Sequence, residues 1–192
     1  METRRRGRPP QYDRDAALAA LTNAFWDQGL AATSLDALAA AAGMNRPSLY
    51  AAFGDKQAMY LDVLERFGEQ ACANVRLAMA AGDTPRTAVT ALLRGGVKAY
   101  LAGPNGPRGC LAVCTATSEA VMTPAVREAL QLVLRDLDAA VAERLAELGS
   151  PEPTLQGQLV AAVLHSLAVR ARAGAGEAEL LAMADAAAAQ LA

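Results

Sequence analysis

Two groups of residues in this chain have types and spacing suited to chemistry. The first is cationic and hydroxylic. Arg4, Arg5, Arg6 and Arg8 crowd into five positions near the start, and Arg46, Ser48 and Tyr50 fall within another five. Guanidinium and hydroxyl groups at this density suit phosphate oxygens and base edges, which is the chemistry of gripping a nucleic acid. The second group is sparse: Cys72, Cys110, Cys114 and the sole histidine, His165. One histidine and three cysteines without finger spacing do not make a structural zinc site. The sequence carries no phosphate loop, no carboxylate pair at acid–base spacing and no nucleophile–histidine constellation. It therefore points away from an enzyme, and it calls for neither metal nor cofactor.

Helices must position these groups. Apolar residues recur at spacings of three and four from Arg14 onward, with Leu18, Leu21 and Phe25 in the first stripe, Asp13 as its cap and Gly29 as its stop. Thr33-Ser34-Leu35-Asp36 has the form of a capping box, so a short helix starts there and ends at Gly43. Asn45 caps a second short helix with Arg46, Pro47 and Ser48 in its first turn. Gly54 and Asp55 then stop that helix and cap a long one carrying Tyr60, Val63, Leu64, Phe67 and Ala71. Gly82 to Pro85 reads as stop, cap and restart. After the Gly/Pro-rich break from Gly103 to Gly109, a short helix is expected from about Cys110 to Val121. Thr123-Pro124 opens a long helix, and two more are expected over roughly 154–173 and 177–191, split by Gly174 and Gly176. Nothing alternates as a strand does. The expected fold is all-α, with about nine helices.

Composition agrees. Apolar residues make up 53% of 192 residues, enough for a sizeable core, and alanine, the best helix former, is abundant. No apolar run is long enough to span a membrane, and no apolar stretch follows the first basic residues as in a secretory signal. An odd number of cysteines fits a reducing cytosol, so the expectation is a cytoplasmic protein. The net charge of −2 hides the local basic clusters.

The segment from Thr33 to Phe53 is the informative one. Two helices of about two turns each are joined through Gly43-Met44-Asn45. Glycine takes the positive φ of a helix-turn-helix turn without strain, and Ala39, four residues earlier, is small enough for a close crossing. Met44 and Leu49 plug the angle between the helices. The second helix then presents Arg46, Ser48 and Tyr50 toward a major groove.

At this point residues 12–67 resemble the DNA-binding region of the tetracycline-repressor (TetR) family. The matching parts are Phe25-Trp26-x-x-Gly29, Thr33-Ser34-Leu35, Ala39-x-x-x-Gly43, Ser48-Leu49-Tyr50-x-x-Phe53 and Lys56. The resemblance implies a dimeric repressor that binds double-stranded operator DNA and is released by a small-molecule effector. It implies three regions: a basic flexible arm over 1–11, a helix-turn-helix domain over 12–56, and a ligand-binding and dimerisation domain over 57–192. Thr33, Tyr50 and Lys56 are then expected on phosphates, with Ser34 among the contacts. Arg46 is expected on guanine O6 and N7, assisted by Asn45 and Ser48. The Arg-Gly-Arg-Pro arm resembles hooks that enter the narrow minor groove of A·T-rich DNA. Each phosphate it neutralises would steepen the salt dependence of binding by about 0.9 log units per decade.

The resemblance also places an effector pocket in the C-terminal half and a homodimer interface on the last two helices. Two apolar stripes suit that interface: Val160, Val163, Leu164 and Leu167, then Leu180, Ala184, Ala187, Ala188 and Leu191. A two-fold dimer sets its recognition helices about 34–36 Å apart, or at a related spacing, on a near-palindrome. Tyr100, Cys110, Cys114, Met122 and His165 are the candidate pocket residues. Arg108-Gly109-Cys110-Leu111, with Glu119 beyond, resembles one branch of the family in which a cysteine is linked to sensing oxidants or electrophiles. Cys110 is expected at a helix N-terminus, where the dipole favours thiolate, with Cys114 one turn on. The alternative to a ligand-released repressor is thus a DNA-binding regulator without ligand, constitutive or switched by oxidation at Cys110.

Overall fold

The computed structural model describes residues 12–191, and its described residues form nine α-helices and no strand. In chain order these are α1 (Arg14–Ala32), α2 (Leu35–Ala41), α3 (Arg46–Phe53), α4 (Lys56–Met79), α5 (Pro85–Leu101), α6 (Thr117–Met122), α7 (Pro124–Glu147), α8 (Pro153–Arg172) and α9 (Glu177–Leu191). The arm cations Arg4, Arg5, Arg6 and Arg8 lie outside the described residues.

Side-chain caps start the early helices. Asp13 accepts from the amides of Asp15 and Ala16, Asn45 from Ser48, and Asp55 from Ala58. Thr84 and Thr87 satisfy each other's amides reciprocally at the start of α5. One cap sits a residue away from expectation. Ser34, not Thr33, caps α2 by accepting from Ala37, while the Thr33 hydroxyl turns inward and donates to the Gly29 carbonyl. Gly29 itself breaks the α-helical conformation at φ 77°, yet the chain resumes one more turn to Ala32.

The segment expected to be a helix from Cys110 begins differently. Residues Ala112–Ala116 form a π-helical turn that runs into α6. Here the Thr115 hydroxyl donates to the Leu111 carbonyl at 2.7 Å and accepts from the buried Tyr60 hydroxyl at 2.6 Å. Tyr60 also packs edge-on against Phe25, with ring centroids 5.2 Å apart, so α1, α4 and the π turn meet at one point.

Behind this junction, α4 packs on α1 and α7, and α5 lies against α8 and α9. The two C-terminal stripes face inward in large part. Val160, Leu164, Leu167, Leu180, Ala184 and Ala188 are buried in the chain's own core. Leu155, Leu159 and Val169 of α8 remain exposed. Among the described residues no helix is long and apolar enough to cross a membrane.

Gly43 and Gly109 both hold tight turns at positive φ, and their surroundings differ. A Cβ on Gly43 (φ 61°) would meet nothing within 4 Å. On Gly109 (φ 64°) it would lie 2.5 Å from the Ala168 carbonyl oxygen and 2.9 Å from Cys114 Sγ. Gly43→Ala should therefore cost about 1–2 kcal/mol, the backbone term alone. Gly109→Ala should cost about 2–5 kcal/mol, because overpacking against a carbonyl adds to that term. Urea unfolding of the two variants checks the difference, and equal losses would contradict it.

Candidate nucleic-acid interface and ligand cavity

The turn between α2 and α3 is closed by its own backbone. The Gly43 amide donates to the Ala40 carbonyl, and the Met44 amide to that of Ala39 at 2.9 Å. Leu38, Leu49 and Phe53 are buried beneath it. That burial fixes which side of α3 looks outward. Asn45, Arg46, Pro47 and Tyr50 are exposed and Ser48 is half-buried, so the first turn of α3 and Tyr50 remain open to solvent.

Arg46 has a partner that sequence reading missed. Its Nε donates to Asp36 Oδ1 at 2.8 Å and its Nη2 to Asp36 Oδ2 at 2.6 Å, a two-pronged pair across the α2–α3 turn. The Arg46 hydrogen bond and charge hold the Asp36 carboxyl below its ordinary value. The signal was available: Asp36 lies ten residues before Arg46, and a turn of this kind folds one helix onto the next.

Two expected phosphate ligands are differently placed. Thr33 is 1% exposed and its hydroxyl serves Gly29, so it supports the corner from within rather than facing solvent. The reason is the register shift at the cap: Ser34 takes the surface position and Thr33 the interior one. The Lys56 ammonium donates to the carbonyls of Ala31 and Thr33, at 3.3 and 3.2 Å, and so stitches the start of α4 to the α1–α2 corner. Tyr50, at 43% exposure, is the aromatic group left open on the α3 face.

A cavity of about 490 Å³ lies among α1, α4, α5, α7 and α8. Of the expected pocket residues it brings together Tyr100, Cys110 and His165. Cys114 does not line it; its Sγ points at the Ala168 carbonyl. Met122 is 84% exposed at the end of α6, where Arg127 of the next helix donates to the Ala120 and Val121 carbonyls. Trp26 was missed as a wall residue. It is the only tryptophan of the chain and stands just before the glycine that breaks α1.

Burial sets the chemistry of the cavity wall. It pushes the Cys110 thiol up to about 11, with the Val113 and Ala112 amides pulling only weakly the other way. The expected thiolate is thus overturned: a two-residue share of helix dipole does not offset desolvation at a 3% exposed sulfur. Burial also raises the Tyr100 phenol well above its ordinary value and lowers His165, against the opposing charge of Asp138.

One edge of the cavity is also where α1 is fastened to the rest of the chain. The Arg108 guanidinium lies 4.7 Å from the Trp26 ring centre and donates to Asp27 and Asn23. Arg172, at the end of α8, donates to the carbonyls of Trp26, Asp27 and Arg108. Glu119 of α6 accepts from the Ala31 amide at 3.1 Å.

The comparisons with known proteins agree with this arrangement. Residues 17–63 match the family described as bacterial regulatory proteins, tetR family. The HTH-type transcriptional repressor ComR of Escherichia coli (strain K12) is 28% identical over 185 residues, spanning 92% of this chain and 87% of ComR. A solved structure of the TetR family transcriptional regulator CifR, a cysteine mutant in complex with a 26-base-pair operator duplex, superposes with a TM-score of 0.82 at 30% identity. The match covers 95% of this chain and 98% of that one. The reduced form of Escherichia coli NemR shares the fold at a TM-score of 0.76 and 19% identity, over 93% of this chain and 94% of NemR. With near-complete coverage of CifR at that identity, and the helix-turn-helix matched in its own right, this chain belongs to the TetR family of transcriptional regulators, which are not enzymes.

Proposed function

We propose that the protein is a transcriptional repressor that binds a near-palindromic operator as a homodimer and leaves it when a small molecule enters the cavity. The outward face of α3 carries this reading. Leu49 and Phe53 anchor the helix, and Asn45, Arg46, Ser48 and Tyr50 stand where a major groove would meet them. In this proposal residues 12–56 form the DNA-binding unit, the basic arm over 1–11 adds groove or phosphate contacts, and residues 57–192 sense and dimerise.

Three contacts divide the work. Tyr50 and Lys56 serve phosphates, and Arg46 serves a base edge. Arg46 leaves Asp36 to do so, exchanging one exposed carboxylate for guanine acceptors. Lys56 also braces the corner that aims α3, since its ammonium bonds two carbonyls. The dimer forms through exposed faces of α8 and α9: Leu155, Leu159 and Val169 on the former, with Ala182, Ala186 and Ala189 on the latter. The small residues on α9 let two copies approach closely.

The effector works by a shift of population. It weakens DNA binding only by the difference in its affinity for the two arrangements of the dimer. The oxidation-switched alternative is less well supported, because Cys110 is buried with a thiol raised to about 11, whereas a cavity of about 490 Å³ suits a ligand.

Footprinting on DNA flanking the protein's own gene locates the operator, and titration then tests the division of labour. Tyr50→Phe and Lys56→Ala should weaken binding to matched and mismatched operators alike. Arg46→Ala should erode discrimination at one base pair per half-site by roughly ten- to a hundred-fold. Uniform losses for all three would refute the assignment.

Asp36→Asn, which removes the competitor for Arg46 and one negative charge from the face, should tighten operator binding. The gain should be largest at low salt. Unchanged or weaker binding would mean that the carboxylate orients Arg46 for DNA instead of restraining it.

A further inference from the structure

Between α4 and α7 runs a groove of about 650 Å³ that shares no residue with the effector cavity. Its floor is apolar: Cys72 and Val133 are buried there, and Leu132 lies open beside them at 48% exposure. Its rim is acidic. Asp62, Glu65, Glu69, Asp136 and Glu143 stand along it against one cation, Arg76. Arg76 is bonded to Glu143 at 3.3 Å, and Asp62 is bonded to Arg14 at 2.8 Å. Glu65, Glu69 and Asp136 are exposed and have no hydrogen-bond or ion-pair partner among the described residues. Such a rim repels DNA and invites a cation.

The groove begins where the basic arm ends. Asp62, which accepts from the Arg14 guanidinium, is itself a groove residue, and Arg66 one turn on donates to Asp15. The first turn of α1 is therefore fixed against one end of the groove. From Arg14 back to Arg8 is six residues, enough for about 20 Å of extended chain. From Asp62 to Glu69 along α4 is only about 10 Å, at a rise of roughly 1.5 Å per residue. The arm thus reaches the open carboxylates with length to spare. It brings Arg4, Arg5, Arg6 and Arg8 against the single acid Glu2, and Pro9 and Pro10 suit an apolar floor.

We propose that the chain's own arm, residues 1–11, lies in this groove when no DNA is bound, with its arginines on Glu65, Glu69 and Asp136. The carboxylates then stand in for backbone phosphates, since both accept the same charge-assisted bonds from guanidinium. A duplex takes the arm by exchange rather than from water, so the groove restrains binding to every sequence alike. The docking itself needs no DNA; only its consequence rests on the repressor reading.

Two measurements on the full chain test this. Arg6→Lys supplies an amine for zero-length carbodiimide coupling in the absence of DNA. An undocked tether would join that amine mainly to Asp13 and Asp15, its near neighbours in sequence. Docking should make links to Glu65, Glu69 and Asp136 at least about five-fold more abundant in monomer-sized product, and about 0.5 M salt should remove the excess. Links mainly to Asp13 and Asp15, an excess indifferent to salt, or links found only in dimer-sized product would each overturn the proposal. The second measurement is a titration of a random-sequence duplex. Glu65→Gln, Glu69→Gln and Asp136→Asn together should tighten binding by about three- to ten-fold in the chain with its native arm. With Arg4, Arg5, Arg6 and Arg8 all changed to Gln, the same three changes should gain less than about two-fold. Equal gains on both backgrounds would mean that the carboxylates merely repel DNA, and would also overturn the proposal. A chain that forms the links but binds no duplex fails only the repressor reading, and one that binds DNA without forming them fails only this inference.

Discussion

One guanidinium joins the C-terminal part of α1 to the loop that follows α5. Arg108 leaves the Gly/Pro-rich loop after α5, lies against the Trp26 ring, and bonds Asp27 and Asn23 on the next turn. Its side chain is only 12% exposed, which makes these contacts stronger than those of the surface pairs elsewhere in the chain. Cation–π attraction at a partly desolvated site adds about 1–2 kcal/mol. Arg172 closes the same joint from α8, using backbone carbonyls that α1 exposes near its break at Gly29. Farther along, α1 is held to α4 by buried Leu18, Leu21 and Phe25 and by the exposed pairs Arg14–Asp62 and Arg66–Asp15.

Cavity and joint share Trp26, and this couples them. One face of the indole receives Arg108, while the ring lines the space between α4 and α8 and packs edge-on against Phe67 at 5.3 Å. A rigid ring cannot adjust to a guest on one side without altering its contact on the other. In the proposed repressor the coupling free energy is therefore set by how differently Trp26 sits in the DNA-fitting and released arrangements. Allosteric couplings are typically about 1–3 kcal/mol, comparable to the Arg108 contact itself. A joint much stronger than this would resist any effector, and one much weaker would not aim the helix-turn-helix.

What the sequence disclosed follows from how local each feature is. Asn45, Asp55 and the Thr84–Pro85 pair cap where expected, since a cap is a matter of a few neighbouring atoms. The helix order and the helix-turn-helix were equally legible, because periodicity of burial repeats many times over. Thr33 and Ser34 are chemically alike as caps, and only tertiary packing decides which turns inward. Met122 was indistinguishable in type from a pocket residue, yet it is exposed at the end of α6. The α8 and α9 stripes expected at a dimer interface lie largely in the chain's own core, because periodicity reports the face a helix buries and not what buries it. The pairs Arg46–Asp36 and Arg108–Asp27 span a turn and half a chain respectively, and no spacing rule announces the second.

The α2–α3 surface and the cavity follow opposite electrostatic rules, which in the proposed repressor would let one chain do two jobs. On the α2–α3 surface charges stay hydrated, their pairs exchange at little cost, and salt screens them. Arg46 can therefore leave Asp36 for another acceptor without stranding a charge in the interior. Inside, the same economy is forbidden. Burial raises the Cys110 thiol and lowers His165, and among the described residues no carboxylate or cation lines the wall. Selectivity there must come chiefly from shape and apolar contact, which salt does not touch. A ligand recognised by those means cannot compete with DNA for charge. In the proposed repressor such a ligand would act through the link at Trp26 and Arg108, and that link would set how far the two functions influence each other.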